Sequence, residues 1–374
     1  MKNILFIIGS LGGGGAEKVL VDLLKRFDYS KYNVTLILLY GSGIHEASVP
    51  AQVEVIRLFE RKQTKFDIRM FLFFNSLYKI YLQHKLKGAI ADNNYDVVIS
   101  FMEGHALLLH SFISERFKRN ITWVHTDMNQ FGWSQYIFGS RDKERKCYAK
   151  MDEIVFVSRG ALEGFKKKFN INEGLRVIYN IIDQENVIVK SDEYLVEHKK
   201  FTICHVGRLN PVKRQERIID VAHELRHRGL DFEVWIVGDG QCGEKLKNLV
   251  NEKNLQENVK FMGFQSNPYP YIKNADIFLL TSEAEGYPIV ICESLTLGVP
   301  VISTDVSGPK EILCDGSGIL TSFDINEIAD RIEEFMKCPA KLNEYREISL
   351  KKSHEFNSAK TICEIEQIIE NNQF

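Results

Sequence analysis

Short apolar runs alternate with helix-patterned segments from one end of this chain to the other, and that alternation leaves few folds open. Twelve runs read as strands: 3–8, 33–39, 53–58, 96–101, 121–126, 153–158 and 175–179, then 201–206, 232–237, 259–264, 277–281 and 300–304. They are rich in Val, Ile and Phe and show little alternation, as strands buried on both faces of a parallel sheet do. Helical segments between most of them make the units βαβ. A chain of 374 residues can build two cores. The expected fold class is therefore α/β, with two doubly wound domains whose parallel sheets face a cleft between their carboxyl ends. Residues 1–182 make the first domain and 200–356 the second. The polar stretch 183–199 reads as a linker, and a C-terminal helix over 357–374 is expected to pack back on the first domain. No repeat of domain-building length breaks this pattern.

Composition narrows the function. A formal net charge of −2 gives no global pull toward nucleic acid, so no nucleic-acid partner is expected. Seven cysteines occur, with no Cys-x-x-Cys pair. An odd count without metal spacing argues for a reducing compartment and against a zinc site or a disulfide framework. Met1 to Ile8 runs straight into a strand and carries no signal-peptide cleavage pattern. No apolar run is long enough to span a membrane. The expected location is cytoplasmic, or peripheral on the inner face of the cell membrane.

One segment carries most of the chemistry. Ser282 to Glu293 reads Ser-Glu-Ala-Glu-Gly-Tyr-Pro-Ile-Val-Ile-Cys-Glu, with Glu285 and Glu293 on either side of a Gly-x-Pro turn. Pro288 suits a first helical position, where its missing N–H costs nothing. The open N–H groups of such a helix start can hold an anion. Glu285 then lies at the lip and Glu293 roughly 7–8 Å deeper along the helix. An anion grip flanked by two carboxylates that accept hydroxyl hydrogen bonds suits a sugar nucleotide.

Other motifs bear on the same chemistry. Gly12 to Gly15, followed by Ala16 and Glu17, comes after the first strand and before a helix. Such glycines let backbone approach a ligand and donate N–H groups. Gly13, Gly14, Gly15 and Glu17 are candidates for a phosphate or acceptor loop, and a plain flexible turn is the competing reading. After the strand 201–206, Gly207 and Arg208 lead to Asn210, Pro211 and Lys213. A forked guanidinium and a point-charge ammonium around one turn fit a diphosphate. His125 closes the strand 121–126, and a substrate contact competes with a structural role. Asp127 is either an acceptor contact or a cap. His105 and His110 lie in an apolar helical stretch and read as structural. The basic, aromatic stretch 66–90 fits an anionic membrane surface and a core helix equally well. Arg116, Lys118 and Arg119 form a second basic cluster.

These residues carry a resemblance. The chain resembles the retaining GT-B glycosyltransferases of family 4, whose Glu-x7-Glu signature matches Glu285 and Glu293. The family's Gly-Arg-Leu-x-x-x-Lys motif matches Gly207, Arg208, Leu209 and Lys213. Its glycine loop before Ala-Glu matches Gly14, Gly15, Ala16 and Glu17, and its Gly-x-x-Glu matches Gly308 and Glu311. The likeness spans nearly the whole chain and is most specific in the second half.

The resemblance implies two Rossmann-like domains and a set of roles. Glu285 would hold the donor sugar, and Glu293 the ribose. The backbone of Gly286, Tyr287, Pro288 and Ile289 would lie at the diphosphate. Arg208 and Lys213 would neutralise the leaving group, His125 would meet the transferred sugar, and Gly263 and Phe264 would border the base. No metal and no cofactor are expected. The implied function is transfer of a hexose or N-acetylhexosamine from a nucleotide sugar, a UDP-sugar, to a lipid-linked or surface-polysaccharide precursor. The alternatives are a non-catalytic sugar-nucleotide-binding partner of another transferase and a nucleotide-sugar epimerase of the same fold.

Overall fold

The computed structural model describes residues 1–61, 75–91 and 93–370. The chain forms two compact units, Met1–Ile181 with Ala359–Phe374, and Ile182–Ser358.

In the first unit, strands β1 (Lys2–Ile8), β2 (Tyr32–Tyr40), β3 (Glu54–Phe59), β4 (Val97–Ser100), β5 (Asn120–Val124), β6 (Glu153–Phe156) and β7 (Leu175–Val177) form one parallel sheet. Their order is β3-β2-β1-β4-β5-β6-β7. The chain winds outward from β1 and then returns to its other side, so the switch point lies between β1 and β4. Ile4 to Ile8 are fully buried, which is why their sequence does not alternate.

The second unit repeats the plan with β8 (Phe201–Val206), β9 (Phe232–Val237), β10 (Val259–Gly263), β11 (Ile277–Leu280), β12 (Val301–Thr304) and β13 (Ile319–Thr321), ordered β10-β9-β8-β11-β12-β13. The switch here lies between β8 and β11. All twelve expected strands are present. β13 is the addition: three residues at the sheet edge are too few to set a pattern.

Three segments bear on the sequence reading outside the sheets. Residues 183–199, read as a linker, open with the helix Gln184–Lys190, capped by Asp183. Val187 on that helix is buried. Asn267 ties the stretch to the second unit, donating to Lys190 O (2.8 Å) and Glu193 Oε2 (2.7 Å). In the Arg116, Lys118 and Arg119 cluster, two cations have partners. Arg116 donates to the carbonyls of Ala91 and Asn93, and Arg119 pairs with the buried Glu153. The helix Ser358–Glu370 lies almost wholly in the first unit, where Glu370 meets Lys2 (2.8 Å) and Tyr32 (2.9 Å).

Of the stretch 66–90, residues 66–74 lie outside the described residues. The helix Asn75–Ala89 buries one face and exposes apolar side chains on another. Tyr78, Leu82 and Leu86 are buried, and Tyr78 Oη lies 2.9 Å from Tyr40 Oη. Leu77, Ile80 and Tyr81 are exposed. No described helix is long and apolar enough to cross a membrane.

Two fully buried histidines make hydrogen bonds inside the two units. His110 lies 3.0 Å from both Ser100 Oγ and Asn120 Oδ1, and His205 Nδ1 lies 2.9 Å from Leu279 O. Burial disfavours the charged ring and pushes both pKa values down to about 4. The unfolded chain takes up these protons near pH 6.5, the folded protein only near pH 4. Stability from these rings is thus full above about pH 6.5 and is lost as pH falls toward about 4. Denaturant midpoints measured from about pH 7 to about pH 5 should fall steadily, with net proton uptake on unfolding.

Candidate active site

The loops that leave β8 and β11 lie side by side because those strands are neighbours. After β8, Asn210 accepts from Lys213 N (3.1 Å) and holds a single turn, Pro211–Lys213. Arg214 then takes a left-handed conformation before the helix Gln215–His227 begins. After β11, Glu283 N donates to Val212 O (2.9 Å), and Thr281 Oγ1 donates to Arg214 O (3.0 Å). An Arg214–Glu283 ion pair (2.6 Å) adds to these bonds.

The two loops deliver opposite charges to one point. Lys213 Nζ lies 2.6 Å from Glu285 Oε1, and Ser282 Oγ donates to the same oxygen at 2.6 Å. Both charged groups are largely shielded from solvent. Arg208 stands exposed at the end of β8, and its carbonyl accepts from Gln215 Nε2 (3.0 Å).

Pro288 is not the first helical residue. It is the extended N-cap, with ψ at 100°, and the helix runs Ile289–Thr296. Glu285 therefore sits in the turn before the helix and not at a helical interval from Glu293. Glu293, on the helix, is buried and accepts from Tyr269 Oη (3.1 Å). Gly286, Pro288 and Ile289 are buried and Tyr287 half-buried around this turn. Ser307 Oγ donates to Glu285 O at 3.2 Å, and Gly308 lies tight against the same turn.

A glycine floor adjoins the pair. Gly238, with φ at +141°, lies so close to Gly207 O that a Cβ there would collide with it. Gly238 N donates to Gly263 O (2.8 Å), so Gly207, Gly238 and Gly263 line up across the ends of β8, β9 and β10. Phe264 beside them is exposed.

The first unit holds the remaining candidates. Gly13 and Gly14 lead into the helix Gly15–Leu24, and Glu17 accepts from Gly14 N. Glu17 thus caps its own helix. Asp127 accepts from Asn129 N (3.0 Å) and Gln130 N (3.3 Å), which makes it a turn residue. His125 follows β5 directly. Burial pushes its pKa down to about 4 against the opposing pull of Glu103, so the ring is neutral near pH 7. Among the described residues no cluster of three or more His, Cys, Asp or Glu is placed to hold a metal ion.

Comparison with known proteins agrees with this geometry. Residues 13–186 match the family model for glycosyltransferase family 4, and residues 188–352 match that for glycosyl transferases group 1. The N-acetylgalactosamine-N,N'-diacetylbacillosaminyl-diphospho-undecaprenol 4-alpha-N-acetylgalactosaminyltransferase of Campylobacter jejuni is 29% identical over 338 residues, 87% of each chain. The N-acetyl-alpha-D-glucosaminyl L-malate synthase of Bacillus anthracis is 26% identical over 272 residues, 70% of each chain. Anabaena Alr3699/HepE, solved in complex with UDP and glucose, superposes with a TM-score of 0.81 at 21% identity, covering 99% of this chain and 100% of that one. The chain is a GT-B glycosyltransferase of the family 4 type.

Sequence reasoning on this glycosyltransferase missed Gly238, Ser282, Tyr269 and Glu103. Only Gly238 left a signal, in the Val-Gly-Asp-Gly that ends β9. Gly308 offers a direct probe of the turn that carries Glu285. A Cβ on it would lie 2.8 Å from Gly286 O, 2.9 Å from Glu285 O and 2.9 Å from Pro288 Cδ. Gly308→Ala should therefore push that turn away, with a stability loss of about 1–3 kcal/mol. Activity should fall further than the thermal midpoint alone accounts for. Thermal unfolding and transfer assays on the same preparation check this.

Proposed function

We propose that this glycosyltransferase moves a hexose or N-acetylhexosamine from a UDP-sugar to a lipid-linked precursor of a surface glycan, with retention of configuration. The Lys213–Glu285 pair at the start of the helix Ile289–Thr296 carries this reading. A lysine beside a helix N-terminus offers positive potential to a diphosphate. The glycine floor leaves room for a nucleotide to approach the backbone. The Campylobacter relative acts on a diphospho-undecaprenol-linked substrate and the Anabaena neighbour binds UDP and glucose, which supports both substrate classes.

Each residue then has a task. Loss of the nucleoside diphosphate leaves oxocarbenium character on the sugar. Negative charge grows on the leaving phosphate, and Lys213, Arg208 and the helix amides stabilise it in the transition state without a metal ion. Glu285 accepts hydroxyls of the transferred sugar while Ser282 and Lys213 hold its carboxylate in place. Glu293, steadied by Tyr269, accepts the ribose hydroxyls. His125 meets the transferred sugar, and Gly13 to Gly15 border the acceptor. Retention follows if the acceptor attacks from the face the phosphate leaves, with that phosphate taking the acceptor proton.

Glu285→Ala and Arg208→Ala should each lower transfer by about 100-fold or more while the protein stays folded. Product formation from a panel of UDP-sugars and polyprenyl-diphosphate acceptors measures this, and wild-type rates in both variants would remove the assignment. Sugar conversion without acceptor would point to an epimerase instead.

The same reading places the enzyme at an anionic membrane surface. Leu77, Ile80 and Tyr81 are exposed on the helix Asn75–Ala89, with Lys79 and Lys87 on the same helix. Binding to vesicles rich in anionic lipid should be measurable at low salt and weaken as ionic strength rises. Co-sedimentation tests this, and no binding at low salt would remove the membrane from the proposal.

A further inference from the structure

The first unit contains a buried carboxylate that no sequence motif points to. Glu103 lies just past the end of β4 and is 2% exposed. Its Oε2 accepts from His125 N at 2.9 Å. Its Oε1 accepts from Thr126 Oγ1 and, at 3.1 Å, from Trp133 Nε1. One acceptor-only group thus gathers the exit of β5 and the turn that follows it. The far end of that turn is also held, because Ser134 Oγ donates to the buried Glu144. Gly104 lets Trp133 close on this cluster: a Cβ there would lie 2.7 Å from Trp133 Cη2.

Beside the satisfied Glu103 carboxylate, the His125 ring keeps one polar atom unmet. The His125 ring hydrogen-bonds to the Phe101 backbone and leans on the Phe101 ring, 5.1 Å between centroids. Its Nε2 is buried and has no hydrogen-bond partner. With the other ring nitrogen donating to a carbonyl, Nε2 is an acceptor. A buried acceptor without a donor costs free energy, and a substrate hydroxyl would satisfy it.

We propose that Glu103 is a positioning residue for sugar transfer, fixing His125 so that its Nε2 accepts a hydrogen bond from a substrate hydroxyl. The proposal rests on the transferase reading above. A carboxylate suits the task because all three of its partners are donors. Glutamine in its place would turn an NH2 group toward one of those donors. The strand end would then shift, and a displacement of about 1 Å at a reacting group can lower a rate by about 100-fold.

The test is a double-mutant cycle on the full-length protein, using UDP-glucose, UDP-N-acetylglucosamine and UDP-N-acetylgalactosamine with polyprenyl-diphosphate-linked monosaccharides. Glu103→Gln should lower kcat by about 10- to 100-fold with donor KM changed by less than about threefold. His125→Ala should lower kcat to a similar degree, and the double variant should be no slower than His125→Ala alone. Trp133 supplies a readout independent of turnover. It is half-buried, whereas Trp123 and Trp235 are each 2% exposed, so iodide quenching reports on Trp133. Glu103→Gln should make it more quenchable. If that variant fails to fold, Glu103→Asp, which keeps the charge but withdraws the oxygens, enters the same cycle.

A wild-type kcat in Glu103→Gln, or losses that simply add in the double variant, would overturn the proposal while leaving the transferase reading intact. No turnover by the wild-type protein on any pair would overturn both.

Discussion

The contact on which the second unit's site depends is the one between Lys213 Nζ and Glu285 Oε1, made across 72 residues of sequence. It exists because β8 and β11 are adjacent at the switch point, where loops leave neighbouring strands in the same direction. Backbone bonds between the two loops, Glu283 N to Val212 O and Thr281 Oγ1 to Arg214 O, fix their spacing before any charge is considered. The ion pair therefore sits on a framework that does not need it. Partly buried pairs of this kind are weak contributors to stability. Their value here is geometric: a cation and an acceptor are held beside a helix start with little freedom left to lose on binding.

The fold was legible in the sequence because buried parallel strands leave unbroken apolar runs, and twelve of them stood out. The exceptions have physical causes. β13 is three residues long, too short for a pattern. The helix Gln184–Lys190 is only two turns long and buries Val187 alone, so it shows no helical apolar period and sits within an otherwise charged stretch. Pro288 fell one position short of the helix because its ψ is extended, a detail that composition does not encode.

The candidate site was legible only where local sequence sets local structure. Glu285, Gly207 and Lys213 belong to loops whose turns are written in glycine, proline and asparagine. Glu17 caps its own helix, and a cap and a ligand contact both ask for an acid just after a glycine turn, so the sequence does not separate the two uses. Asp127 shows the same ambiguity, and it accepts from the backbone of the turn that follows it.

Glu103 marks the limit of that approach. Its three donors lie 22, 23 and 30 residues away. Nothing in a window of sequence distinguishes a glutamate that will be buried among such donors from one facing water. The difference arises only once β4 and β5 pair and place residue 103 beside residue 125. The same pairing leaves His125 Nε2 without a partner. A fold that satisfies three donors with one carboxylate yet leaves the adjacent imidazole nitrogen unmet has no local reason to do so. The unmet nitrogen is therefore better explained by a ligand than by packing, since a core histidine such as His110 finds partners on both sides of its ring.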